Sequence, residues 1–320
     1  MRHRFALFLV LCTASALAPL AACGSAEKAS NPLPTTDDID ASKTKRDTSA
    51  PPFPEDDAGN PLPEASTGPG RVYSHTRDTL FLFEPTAGTL KEIGKFTFDP
   101  ANTAADVIDI AVDRTGNMYG TTFNDFFSID TTTAKATWIA IAQTAVDYPN
   151  ALSFVPAGTA DPSKEALVGY ATSIGDSLAV TYVQIDTTTG AMTTKGKINA
   201  SATGAQYRSS GDIVSIIADG NRTYATVKLV TDAGAAGTDL LAEVDPVDGH
   251  IKRIIGDTKQ NDIWGFGYWA GKGYGFSAGG KVLQINMATG ASTVLQTLMN
   301  DAGTVMPWYG AGVTTQAPAN

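Results

Sequence analysis

Five times along this chain a short alternating strand runs into the same kind of turn: LFLFEPTAG (80–88), FFSIDTTTA (126–134), YVQIDTTTG (182–190), LAEVDPVDG (241–249) and VLQINMATG (282–290). One slot, held by Glu84, Asp130, Asp186, Asp245 and Asn286, opens each turn, at intervals of 46, 56, 59 and 41 residues. A short carboxylate or amide there can accept hydrogen bonds from the turn backbone, and the residue four positions on, Gly in most copies, supplies a positive φ. Turn chemistry therefore accounts for these acids without a ligand.

The stretch 106–142 shows what surrounds one such cassette. Ile108, Ile110 and Val112 alternate as a strand, Asp113-Arg-Thr-Gly116 turns, and Met118 to Thr122 returns. Phe126 to Asp130 forms a third strand and Thr137 to Ala142 a fourth. Four strands repeated every 40–60 residues is the period of a β-propeller blade. Inner strands are expected at 107–113, 151–157, 212–219 and 262–270, each opening a unit. The first unit, from Arg71, has only three strands, while MPWYGAGVTT (306–315) is an orphan. If the orphan joins the first unit, an all-β propeller of five four-stranded blades closes with no free edge. Extra strands hidden in 143–175 or 226–240 would raise the count to six or seven.

Composition sets limits on partners. Net charge is −10, and becomes −12 without Arg2 and Arg4. An acidic surface repels phosphate backbones, so no nucleic-acid role is expected. A monomer is expected.

Residues 1–22 read as a signal peptide, with Arg2 and Arg4 before the apolar run Phe5–Leu20. Leu20-Ala-Ala-Cys23 resembles the lipobox of bacterial lipoproteins. That resemblance implies cleavage before Cys23, lipidation of its sulfur and a membrane anchor. Gly24, rather than Asp, then favours the outer membrane by the same likeness. Cys12 lies in the discarded segment, so the mature chain holds one cysteine and no internal disulfide. Residues 23–70 carry the lipidated cysteine and a tether rich in Pro, Ser and Asp, spanning about 40 Å root-mean-square. Residues 71–320 form the propeller.

Catalytic patterns are sparse. Gly275-Phe-Ser277-Ala-Gly279 fits a nucleophile elbow, yet another strand follows it and no His lies beyond His250. His75, placed on an outer strand, and His250, after a turn glycine, are expected at the surface. The glutamates Glu84, Glu92, Glu165 and Glu243 fall on outer strands or loops, which disfavours a glycosidase carboxylate pair. A quinone-dependent dehydrogenase would need recurring inner-strand Trp that is lacking.

The remaining candidates cluster near the starts of the inner strands. Asp106, Asn150, Asp212 and Asp262, with Asp109 further along, either cap the strands or ring a hard cation such as Ca2+; no cofactor is otherwise expected. Trp264 and Trp308, with Tyr268, Trp269 and Tyr309, either stack a ligand at the channel mouth or fill the wedge between blades.

Two function classes follow. One is a binding or scaffold module for a peptide, glycan or protein partner. The other is a metal-dependent hydrolase or lactonase using Asp106, Asn150, Asp212 and Asp262. VQIDTTTGAMTTKGKI (183–198) and VLQINMATGASTVLQTL (282–298) resemble the IDxxTGxxT repeats of uncharacterised secreted bacterial propellers. That likeness implies fold and leaves activity open.

Overall fold

A computed structural model describes residues 71–319 except 101–105, 143–146, 174–175, 202, 232–233 and 236. The expected signal peptide, Cys23 and the tether lie outside the described residues. Every regular element among the described residues is a strand.

The strands group into five sheets, the five blades of a propeller. Blade 1 holds β1 (Val72–His75), β2 (Thr79–Glu84) and β3 (Thr89–Lys95). Blade 2 holds β4 (Thr97–Asp99), β5 (Asp109–Val112), β6 (Met118–Thr121), β7 (Asp125–Ile129) and β8 (Lys135–Ile141). Blade 3 holds β9 (Leu152–Val155), β10 (Ala166–Ser173), β11 (Asp176–Ile185) and β12 (Met192–Lys197). Blade 4 holds β13 (Gln206–Ile216), β14 (Arg222–Thr231), β15 (Gly234–Ala235), β16 (Leu240–Val244) and β17 (Ile251–Asp257). Blade 5 holds β18 (Ile263–Trp269), β19 (Lys272–Ser277), β20 (Lys281–Asn286) and β21 (Ser292–Thr297), and β22 (Gly310–Gly312) follows.

The orphan strand closes the ring. β22 pairs antiparallel with β1, Tyr73 opposite Gly312 and His75 opposite Gly310, and so becomes the innermost strand of blade 1. The long spans at 143–175 and 226–240 lengthen β10, β11 and β14 instead of adding a blade. Two strands escaped the sequence pattern: β4, in the link between blades 1 and 2, lies parallel to β8 and extends blade 2 outward, and the short β15 pairs antiparallel with the end of β14 in blade 4.

The repeated turn behaves as its chemistry requires. Asp130 Oδ1 accepts from the Thr132 hydroxyl (2.6 Å) and from the N–H groups of Thr132 (2.8 Å) and Thr133 (2.9 Å), which together hold its carboxyl down at about 2. Asp186, Asp245 and Asn286 accept from the second residue after them in the same way. Four residues on, φ is positive in each copy, and Ala134 adopts 58° without the freedom of glycine. Gly275-Phe-Ser277-Ala-Gly279 is a β19–β20 hairpin with no helix, so it is no nucleophile elbow.

Apolar side chains fill the wedges between neighbouring blades. Leu80 of blade 1 packs with Ile110 and Phe127 of blade 2, and Phe126 of blade 2 with Leu152 and Leu167 of blade 3. The largest cluster joins Phe81 and Phe83 of blade 1 to Phe266 and Phe276 of blade 5 and to Val214 of blade 4, across the seam that β22 closes.

Candidate functional site

With only five blades the inner strands crowd the axis. A Cβ on Gly265 would fall 2.6 Å from the Gly310 carbonyl carbon, and one on Gly211 would fall 2.6 Å from Trp264 Cα. Backbone meets backbone there, so the axis is packed rather than open.

Inner strands have one edge with no sheet partner, and their buried N–H groups need acceptors. At the axis two carboxyl groups supply them, while Asp239 takes the N–H of Ile263 at the start of β18 (2.6 Å). Asp109 accepts from Ile110 N on its own strand (2.8 Å) and from Leu152 N on β9 (2.6 Å). Asp212 accepts from Ile213 N on its own strand (2.7 Å), from Phe266 N on β18 (2.9 Å) and from Ala311 N on β22. The inner strand of every blade thus donates to one of the two.

Both side chains are wholly buried, and they hydrogen-bond each other. Burial raises both carboxyls well above the ordinary range. The negative charge of Asp212 raises Asp109 further, whereas the bond from Asp109 favours ionised Asp212. Of the two, Asp109 is thus the better placed to hold a proton and Asp212 the better placed to carry charge.

His75 stands beside this pair, and its placement corrects the sequence reading. It lies one strand from the axis because β22, arriving from the far end of the chain, is inserted inside β1. The ring is fully buried, and burial depresses its pKa to about 4. Its Nδ1 lies 2.8 Å from the Thr76 carbonyl, so Nδ1 donates and Nε2 is left as an unpartnered acceptor. A Cβ on Gly310 would collide with Asp109 Oδ1 and lie 2.6 Å from His75 Nε2. His250 is half-buried, its Nδ1 2.5 Å from Asp248.

Immediately before the locked residues the chain faces outward. Ile108, Gly211 and Tyr309, which precede Asp109, Asp212 and Gly310, line a cup of about 160 Å3 together with Phe123, Asn150, Ser210 and Trp264. The Trp264 and Tyr309 rings meet edge to face, centroids 5.6 Å apart at 73°. Phe123 stands at the lip, 54% exposed. An open groove of about 540 Å3 continues from Ile108, Phe123 and Tyr309 toward Asp106, Arg77, Thr122 and Asn124.

The opposite end of the axis is sealed. Residues after β22 cross it: Thr315 O accepts from Ile217 N (3.0 Å) and Pro318 O from Ala270 N (2.8 Å). Thr315 Oγ1 donates to Glu165, whose other oxygen accepts from Arg114 N at 2.8 Å.

The sequence candidates separate on this geometry. Asn150 and Trp264 line the cup, and Asp106 lies in the adjoining groove, paired with Arg77 at 2.5 Å. Asp262 pairs with Lys228 at 2.5 Å, and Lys228 also lies 3.5 Å from buried Asp239. Asp109 and Asp212 are sealed beneath the cup. Trp308 is not at the mouth: it is buried between Phe81 and Phe276, its Nε1 donating to Gly280 O at 3.1 Å. Tyr268 and Trp269 are buried in the same cluster. Of the four residues considered for a cation, Asp106, Asp212 and Asp262 are thus each engaged with other partners, and among the described residues no group of three or more His, Cys, Asp or Glu is placed to hold a metal ion. Sequence reading missed Phe123 and Ser210; an aromatic residue inside the polar turn Thr122–Asn124 was the one available signal.

No family model and no curated protein matches this chain. Among solved structures it is similar to a protein of unknown function from Bacteroides caccae, at 9% identity and TM-score 0.41, covering 77% of this chain and 98% of that one. It is also similar to a gluconolactonase from Xanthomonas campestris, at 11% identity and TM-score 0.42, covering 72% and 77%. A calcium-binding regucalcin from Agrobacterium tumefaciens matches at 12% identity and TM-score 0.35, covering 71% and 74%.

Proposed function

We propose that this chain is a lipid-anchored protein of the cell envelope whose propeller is a binding module, receiving its partner at the cup formed by Trp264, Tyr309 and Phe123. The observation that carries the reading is an aromatic, partly open cup directly above an axis closed by its own carboxylates. Rings offered to solvent on a rigid platform can bind, whereas Asp109 and Asp212 are spent on backbone N–H groups and have no exposed atom to offer a substrate. The lipobox Leu20-Ala-Ala-Cys23 supports anchoring through Cys23, with the outer membrane favoured, and residues 24–70 give the propeller reach from the bilayer.

Two experiments test this reading. Palmitate labelling of the full chain should mark the wild type and not Cys23→Ser, which should leave the membrane fraction; labelling of the variant would refute the anchor. A photo-crosslinking residue at Phe123 should capture a discrete envelope component, and Trp264→Ala should abolish capture. The same residue at Val247, exposed on an outer turn, should capture nothing comparable. Equal capture from both positions would refute the cup as the binding face.

A further inference from the structure

We propose that the cup receives a neutral sugar ring at the end of a glycan chain; this rests on the binding-module reading and specifies its ligand. Size is the first argument. At about 160 Å3 the cup is well below the roughly 300–1,000 Å3 of sites for drug-sized ligands, so it has room for a single ring.

Shape is the second. Trp264 and Tyr309 meet at 73°, forming a corner rather than a slot. A saturated six-membered ring can rest its C–H face on one aromatic surface while the other closes its edge. A pyranose presents such a C–H face together with a rim of hydroxyl groups.

The polar atoms fit that rim. Asn150 offers an amide that both donates and accepts, as a hydroxyl requires. Ser210 adds to the polar lining of the cup, its buried Oγ turned toward Asp239.

Charge selects neutrality. Arg77 and Asp106, the charged residues of the adjoining groove, are paired with each other at 2.5 Å. Their charges cancel, so the groove offers an acidic sugar no net attraction, and the chain as a whole is at −10. Thr122 and Asn124 continue the polar lining outward, so the next sugar residues would lie along the groove.

The test uses the purified full chain in detergent on a printed array of neutral and charged oligosaccharides, with a matched array of uncharged peptides, followed by calorimetry on the strongest hit. The expected result is binding to neutral glycans, weakened about tenfold or more by Trp264→Ala and largely retained by Trp264→Phe, with unchanged melting temperatures. Binding only to charged glycans or only to peptides, still through Trp264, would overturn the sugar assignment and leave the cup as a binding site. Binding to neither array, or binding indifferent to both Trp264 and Phe123, would overturn the sugar assignment and the cup together.

Discussion

The cup and the locked axis beneath it are built from consecutive residues of the same inner strands. Ile108 and Asp109, Gly211 and Asp212, Tyr309 and Gly310 each divide between them. The first residue of each pair faces the cup, and the second is engaged with backbone or carboxylate across the axis. One step along a strand turns a side chain to the opposite side, which here separates a surface offered to a partner from a buried junction. The difference teaches that acids converging at the centre of a propeller need no cation to hold them. Backbone N–H groups from five strands supply the positive ends of dipoles that a metal ion would otherwise provide.

The contrast predicts a graded series of losses. Trp308 belongs to the packed side, and Trp308→Ala should destabilise by about 3–5 kcal/mol in denaturant unfolding. A loss under 1 kcal/mol would show that the seam between blades 1 and 5 is looser than described. Gly310→Ala should cost about 3 kcal/mol, because its methyl group meets Asp109 and His75 where no atom can yield freely.

The two carboxyls should differ from each other. Asp212→Asn, which places an amide N–H among three backbone donors and removes the charge that receives the shared proton, should cost about 2–3 kcal/mol. Asp109→Asn imitates the protonated partner and should cost about 1 kcal/mol. Equal losses would mean that the proton is not carried by Asp109.

The pH dependence follows from the same assignment. Folding raises the pair's pKa, so between the unfolded value of 3.8 and the raised value the folded state binds more protons. That stabilisation is present at low pH and is lost as pH rises through the raised pKa. Asp109→Asn should flatten this alkaline loss in melting experiments. His75 works in the other direction: lowered from 6.5 to about 4, it contributes stability above 6.5 that is lost as pH falls toward 4. The smallest expected effect lies in the cup, where Trp264→Ala should change stability by less than about 1 kcal/mol while removing ligand binding.

The blade count, the closing strand and the turn chemistry were all legible, because strand alternation and turn residues are local properties. The acids at the inner strands were legible too, as a group near the axis. Their role was not, since which backbone N–H faces Asp212 depends on how closely five blades crowd together. His75 was misplaced for a related reason: its burial comes from a strand more than 230 positions away in the chain. Trp264 and Trp308 look alike in sequence, both in short aromatic runs, and only the register of β18 and the approach to β22 part them.

Carboxyl 13C shifts of Asp109 and Asp212, followed through a pH titration of the full chain, test the central claim most directly. The account predicts that one of the two carboxyls remains protonated at neutral pH and that adding a cup ligand leaves both signals in place. Ordinary titration of both near the free-aspartate range, or a shift of both on addition of calcium, would contradict it.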